Sequence, residues 1–533
     1  MSYLYSKKNW IAAIMAVWGY VVYFAFDKID GKIEGYNQGL LMYISKPAFI
    51  YMAVLTLVTV YITLEFRSSG CFELCFDVYG RRNCGYVFGL LGLNSFLSLL
   101  TLIIVQVLSY KKFGFDKLFF GLISQRVILS YLLGGTFCIL AGFSISYIFN
   151  IKGAIVATLI LLIIASPKIY EIMCTQSTKY GTMIFMQNFD IVQGRDGMLS
   201  PLDMGNMKPY KWIKIIGMIA LGLITIVKLT VKRSRYFIVA LLGLFIGCEV
   251  YYYRVHDRSL EEFMNINQDV YYQALQQSGE YYNQYYDFES PFVIESYDLD
   301  MKFGDYMDVR CEMKLAASDA GLDEYMFTLY HTLKVKSVTY DGKKIDYKRD
   351  GDCITVGRLG TGVIAIEYSG FVDRNIANSS AILLCEAIPY YPVAGKRMVG
   401  SYTITMNDFK SVYKVKVNVP GVYTNLDKVS EKSFEGMSYG PCIVKGLLSE
   451  MDIDGMMVLV PKYAEFKIPD KKQIEDYLKF YVDQENVKDI KFIGIGLEGY
   501  YNYVYDMPFN DYLVLPMPTS LGINKEMEYA DNN

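Results

Sequence analysis

Residues 87–110 read VFGLLGLNSFLSLLTLIIVQVLSY, a stretch without one charged side chain. A helix rises about 1.5 Å per residue, so such a run reaches about 36 Å and crosses a hydrocarbon core of about 30 Å. Working outward, further apolar runs cover 10–26, 48–66, 128–149, 153–167, 212–227 and 236–252. The pattern predicts an α-helical polytopic membrane bundle of about seven transmembrane helices. Segment 118–127 carries Gln125 and Arg126 and reads as an interfacial or re-entrant piece.

The composition changes after Tyr253. The whole chain of 533 residues is 53% hydrophobic and 20% charged. Ile, Leu, Phe, Val and Gly dominate 10–252, whereas 257–533 is rich in Tyr, Asp and Lys. Two solvents are implied, lipid for the first half and water for the second. The net charge of −3 says little, but the lack of a basic stripe or Arg-rich segment argues against nucleic acid as a partner. Lys7 and Lys8 precede the run Trp10–Phe26, and Asp27, Lys28 and Asp30 follow it in place of a small-residue cleavage pattern. The run reads as a first spanning helix that acts as an uncleaved signal.

Lys and Arg in the loops set the orientation. With a cytoplasmic N-terminus, the inner segments 1–9, 67–86, 150–152 and 228–235 carry Lys7, Lys8, Arg67, Arg81, Arg82, Lys152, Lys228, Lys232, Arg233 and Arg235. The outer loops 27–47, 111–117 and 168–211 are poorer in positive charge for their length. Seven crossings then place 253–533 outside. In loop 168–211, the patch Met183–Met186 with Phe189, Ile191 and Val192 is too short to span and reads as interfacial.

Ser259-Leu260-Glu261-Glu262 fits a capping box and predicts the start of a stalk helix, with 253–290 as linker. From Pro291 onward, alternating runs predict strands at 292–303, 306–316, 325–330, 333–340, 352–357, 363–369, 401–407, 411–419 and 456–460, with a last one at 512–515. Asp341-Gly342 and Pro420-Gly421 are turn signals, and 470–483 reads as an amphipathic helix. The half is a mainly-β extracytoplasmic domain, sandwich- or saddle-like. Its four cysteines, Cys311, Cys353, Cys385 and Cys442, allow three pairings, and the spacing selects none.

The segment after the second apolar run reads EFRSSGCFELCF over 65–76, followed by Tyr79-Gly80-Arg81-Arg82. It resembles the first intracellular segment of ABC-2-type transporter permeases. That resemblance covers about residues 1–235. It implies that Glu65, Arg67, Gly70, Phe72, Glu73, Tyr79, Arg81 and Arg82 form an elbow that couples the helices to a cytoplasmic ATPase. It also implies a second permease copy or paralogue and a plasma-membrane location. A seventh helix, 236–252, departs from the plain pattern. The chain holds no G-x-x-x-x-G-K-[ST], so the ATPase is expected on a separate polypeptide.

The order of Tyr297–Met301, Leu333–Gly342, Ile364–Gly370 and Pro389-Tyr390-Tyr391-Pro392 looks like the N-terminal β domain of M1-family aminopeptidases, over roughly 290–520. Those enzymes need H-E-x-x-H to hold zinc. The two histidines of this chain, His256 and His331, do not supply it, and Asn533 falls about where the catalytic domain would begin. Gly522–Glu528 is at most an echo of the family's substrate-amine motif. No catalytic, cofactor-binding or metal-binding residues are assigned.

Asn94, Ser95 and Gln106 are polar groups inside the third apolar run. They either bond neighbouring helices or line a substrate path. The leading expectation is the permease subunit of an ABC-type exporter. The alternative is a membrane-anchored extracytoplasmic binding or sensor protein.

Overall fold

A computed structural model describes residues 8–32, 38–45, 47–69, 85–166, 202, 209–231, 234–267, 289–304, 307–317, 322–370, 376–385, 389–397, 399, 407–453, 455–463, 471–475, 490–497 and 512–515. The chain divides into two compact units. One holds Met1–Met198 and Asn206–Asp257; the other holds Leu199–Gly205 and Arg258–Asn533.

The first unit is helical: α1 Lys8–Lys32, α2 Gln38–Ser45, α3 Ala48–Ser68, α4 Gly85–Phe113, α5 Lys117–Val127, a π-helical turn Ile128–Leu133, α6 Gly134–Ile148, α7 Ile151–Ile164, α8 Pro209–Thr230 and the part of α9 (Ser234–Asn267) up to Asp257. Among the described residues, five helices are long and apolar enough to cross a membrane: Ala48–Ser68, Gly85–Phe113, Lys117–Ile148, Trp212–Thr230 and Ser234–Tyr252. In length and composition they are suited to a membrane-spanning bundle. The first predicted span lies within the 25-residue α1, and the fifth is the 14-residue α7, shorter than a usual crossing.

Local chemistry explains the ends. Gly114, at φ 83°, stops α4 in the left-handed conformation glycine tolerates. Asp116 then caps α5 by accepting from the amides of Leu118 and Phe119, both at 3.0 Å. Asn150 caps α7 through Gly153 N–H at 2.8 Å.

Two expectations are corrected, and one segment proves more structured than its sequence showed. Segment 118–127 is not a separate interfacial piece. It continues through the π turn into α6 as one helix, Lys117–Ile148, because no breaker intervenes and a π turn absorbs the extra residue. Segment 27–47 contains α2, whose Ile44 carbonyl accepts a bond from Tyr131 Oη at 2.9 Å. The Ser259 capping box does not start a helix. It falls inside α9, since the stretch 253–258 contains neither Gly nor Pro to end the ladder.

The second unit is mainly β. Its largest sheet has eight strands, in the order β13 (Asp427–Ser430), β14 (Ser433–Ser438), β11 (Ser411–Val417), β1 (Ile294–Phe303), β2 (Met307–Leu315), β8 (Val363–Gly370), β4 (Lys334–Tyr340), β5 (Lys343–Lys344). Only β1 and β11 pair in parallel within it, among the described residues. A four-stranded sheet runs β10 (Val393–Ala394), β3 (Glu324–Thr328), β7 (Cys353–Gly357), β6 (Tyr347–Asp350). A three-stranded sheet runs β12 (Tyr423–Thr424), β15 (Ile443–Lys445), β9 (Ile382–Leu384). The last sheet runs β16 (Leu448–Ile453), β17 (Met456–Pro461), β18 (Phe492–Ile495), β19 (Tyr512–Leu515), with its last three strands parallel.

Alternation builds the core. In β1 Tyr297, Leu299, Met301 and Phe303 point inward while Asp298 points to solvent. A register shift between Ile294 and Ser296 lets Ile294 face the same core out of phase. The turn Asp341-Gly342, with φ of 47° and 77°, has the two positive values of a type I′ hairpin and joins β4 to β5 as its sequence predicts. All of expected strand 401–407 but Asn407, and the greater part of helix 470–483, lie outside the described residues; residues 471–475 are helical.

Candidate functional site

The elbow begins at the end of α3. Glu65 is half-buried in its last turn, and its carbonyl accepts from Ser69 N–H at 3.1 Å. Arg67 reaches across to the end of α6. Its Nη1 donates to the carbonyls of Ser146 and Phe149, the latter at 2.8 Å. A guanidinium there meets the carbonyl end of a helix, where its partial negative charge is concentrated. Arg67 therefore clamps two helices at the base of the elbow. Gly70, Phe72, Glu73, Tyr79, Arg81 and Arg82 lie outside the described residues.

The polar groups of α4 part company. Asn94 is fully buried and joins three segments. Its Oδ1 accepts from Tyr51 Oη of α3 at 3.0 Å. Its Nδ2 donates to Leu132 O in the π turn at 3.0 Å and to Thr136 Oγ1 of α6 at 3.5 Å. Gly135 makes room for it, since a Cβ there would stand 2.3 Å from Asn94 Oδ1. Gln106 donates to Ser124 Oγ of α5 at 2.8 Å. Ser95 faces outward and bonds only its own helix, at Leu91 O, 2.9 Å away. Asn94 and Gln106 are thus tied to neighbouring helices, and Ser95 is not brought to either of them.

The same belt contains residues that pattern reading missed. Tyr131 approaches Tyr51 with ring centroids 5.9 Å apart. Trp18 Nε1 donates to Thr101 Oγ1 at 2.8 Å, and Tyr86 Oη donates to Thr63 Oγ1 at 3.1 Å. Asn94, Ser98, Thr101 and Ser109 fall at spacings of three to eight and share the buried face of α4. That periodic polar stripe was the available signal. An apolar crevice beside the belt is lined by Phe49, Met52, Thr56, Phe137, Cys138 and Leu161, among others.

In the β unit, Arg349 holds the loop after β3 by donating to the carbonyls of Leu329 (3.0 Å), Tyr330 (2.8 Å) and Leu333 (2.8 Å). His331 in that loop faces Asp352, with Nδ1 to Oδ1 at 3.1 Å. Tyr297 stacks on Tyr413 in the core beside Asn407, and Tyr391 meets both rings edge-on. Burial first, then the neighbouring Tyr413, pushes the Tyr297 phenol far above its ordinary range, so it stays protonated. Tyr423 is pushed up to about 12 by desolvation and by its bond to Glu450. Among the described residues no group of three or more His, Cys, Asp or Glu could hold a metal ion.

No family model matches the chain, and no curated protein matches it. Several solved structures are similar to parts of it. An M1 zinc metallopeptidase from Deinococcus radiodurans shares 11% identity over 38% of this chain and 55% of its own, at a TM-score of 0.25. Leukotriene A4 hydrolase from Saccharomyces cerevisiae shares 15% over 44% and 42%, at 0.29. Aminopeptidase A from Legionella pneumophila shares 12% over 46% and 34%, at 0.30. The chain thus spans about half, or less, of the length of these structures.

Proposed function

We propose that the chain is the membrane subunit of an ABC-type exporter. A separate cytoplasmic ATPase supplies the energy, a second permease copy or paralogue completes the path, and the β unit lies outside the cytoplasm. The observation that carries the reading is the Arg67 clamp. A push on the elbow at the end of α3 would be delivered to α6 as well, through Ser146 and Phe149. A rigid pair of helices can pass on such a push as a hinge motion.

The side assignment has its own support. Leu199–Gly205 and Arg258–Asn533 belong to one unit. The residues between them hold the two apolar helices Trp212–Thr230 and Ser234–Tyr252. A chain that leaves and rejoins one water-soluble unit must cross the membrane an even number of times, and a hairpin of two spans does so. Lys228 and Arg235 then flank the turn on the opposite side, where positive charge belongs in the cytoplasm.

Copurification of the full chain with a P-loop ATPase tests the proposal. In intact cells, an impermeant maleimide should modify Asp350→Cys and spare Gly80→Cys. A chain that never associates with an ATPase, with position 80 labelled from outside, would overturn it. The second reading, a membrane-anchored binding or sensor protein, is favoured by the internal bonding of Asn94 and Gln106. It predicts that binding by the β unit survives replacement of the first six helices by one.

A further inference from the structure

We propose that Cys385 and Cys442 form a disulfide that staples β9 to β15; its formation in the cell rests on the exterior placement of the β unit proposed above. The pairing follows from register. Ile443 stands opposite Leu384, Val444 opposite Leu383 and Lys445 opposite Ile382. One step further along the same antiparallel ladder sets Cys442 opposite Cys385.

Three observations agree that these side chains meet. Leu383, Cys385, Cys442 and Val444 all belong to one buried cluster, whereas Ile382, Leu384 and Ile443 belong to the larger core on the other face. Strand alternation therefore puts both sulfurs on the same side. Cys442 N–H donates to Asn425 Oδ1 at 2.8 Å, away from β9. Leu383 N–H likewise turns away from β15, to Ile376 O at 2.6 Å. Cys385 and Cys442 thus occupy a non-hydrogen-bonded position. Cα atoms there are about 4.5 Å apart, inside the range of about 4.4–6.8 Å that a disulfide spans.

The same register sets the other two cysteines of the unit apart. Cys311 stands between Leu299 and Ile366, and Cys353 stands between Thr328 and Asp350. The staple would sit in the cluster that also buries Leu202, so it would stiffen the packing around that side chain.

The oxidant is a disulfide, R–S–S–R, of a small thiol or of a thiol-oxidising protein. One cysteine thiolate attacks it, forming a mixed disulfide and releasing R–S⁻. The second thiolate attacks the cysteine sulfur of that mixed disulfide and releases the other R–S⁻. Two cysteine thiols are oxidised, one disulfide is reduced to two thiols, and the two protons end on the leaving thiols.

The test uses the reduced full chain in detergent micelles with dipyridyl disulfide as oxidant. The reaction is warmed until both thiols are consumed and followed by mass spectrometry of the digest. The expected product is one peptide pair linked through Cys385 and Cys442. In Cys385→Ser or Cys442→Ser, the remaining cysteine should keep its thiopyridyl adduct. Two separate adducts in the wild-type chain, or linkage to Cys311 or Cys353, would overturn the pairing. Chain taken from cells quenched with an alkylating reagent should already carry the link. If the purified chain closes while the cellular chain is reduced, the pairing stands and the exterior placement falls.

Discussion

Replacing Asn94 with Ala would remove the one side chain that joins α3, α4, the π turn and α6. The wild-type residue makes two contacts at 3.0 Å, from Tyr51 and to Leu132 O, and a longer one at 3.5 Å to Thr136. Interhelical hydrogen bonds in membranes contribute about 0.6 to 2 kcal/mol each. Truncation also takes the Asn94 donor from the Leu132 carbonyl in the π turn, and a buried acceptor that loses its partner costs about 1–3 kcal/mol. The loss should total about 2–4 kcal/mol. Unfolding by titration with SDS in mixed micelles measures it. Tyr51→Phe alone should cost about 1 kcal/mol and should cost almost nothing more once Asn94 is gone. An Asn94→Ala chain within about 0.5 kcal/mol of wild type would refute the reasoning, because these bonds would then be replaced freely by neighbours or water.

In the β unit, Leu202→Ala should destabilise by about 2–5 kcal/mol, because Leu202 is fully buried among Leu383, Val444 and Leu459. Thermal unfolding of the full chain, followed by proteolysis at the 446–447 turn, reads the loss. Arg349→Met should cost about 3 kcal/mol by stranding the carbonyls of Leu329, Tyr330 and Leu333, and hydrogen exchange at 329–333 should quicken. Asp298 stands opposite Glu312 and Lys414 on the sheet face. Desolvation and then Glu312 raise its carboxyl above the ordinary range, despite Lys414. The folded state therefore holds that proton more tightly than the unfolded one. The stability it brings is present below about pH 3 and is lost as pH rises through the raised value. Asp298→Asn should accordingly raise the melting temperature at pH 7 and leave it unchanged at pH 3; equal shifts at both pH values would contradict the account.

The division into a lipid half and a water half was legible because solvent selects composition residue by residue. Charge-free runs and two-residue alternation both survive in the sequence. The strands with clear alternation, such as β1, β2 and β11, were legible to within a few residues. The short strands β9, β10, β12 and β15 were not. They are two or three residues long, and such lengths are too brief to show a period. The π turn was hidden for a different reason. It changes hydrogen-bond partners and leaves hydropathy untouched, so Lys117–Ile148 read as two pieces instead of one helix. Of the candidate site, Asn94 was legible as a polar group in an apolar run, but its partner Tyr51 was not. A tyrosine in a span has the same sequence appearance whether its hydroxyl faces a helix or a headgroup. The cysteine pairing is the plainest case. Spacing along the chain left three connectivities open, and only the register of β9 against β15 separates them.

The Asn94 belt also separates the two functional readings. A loss of about 2–4 kcal/mol corresponds to about a 30- to 700-fold change in an equilibrium constant. In an exporter, the bundle exchanges a closed state for an open one, and bonds made only in the closed state set that balance. Asn94→Ala would then favour withdrawal of α4 from the α3–α6 pair, whose crevice is lined by Cys138 and Thr56. Cys138 is buried at 7% exposure, so its modification by a small thiol reagent reports the opening. The exporter reading requires Cys138 to react faster in the variant while helix content, read by circular dichroism, is unchanged. In a mere anchor the helices have one packed arrangement, and the same bonds oppose only unfolding. Cys138 would then gain reactivity only in step with the loss of helix. Modification that tracks unfolding across the SDS titration would therefore count against the exporter, even with the stability change at its expected size.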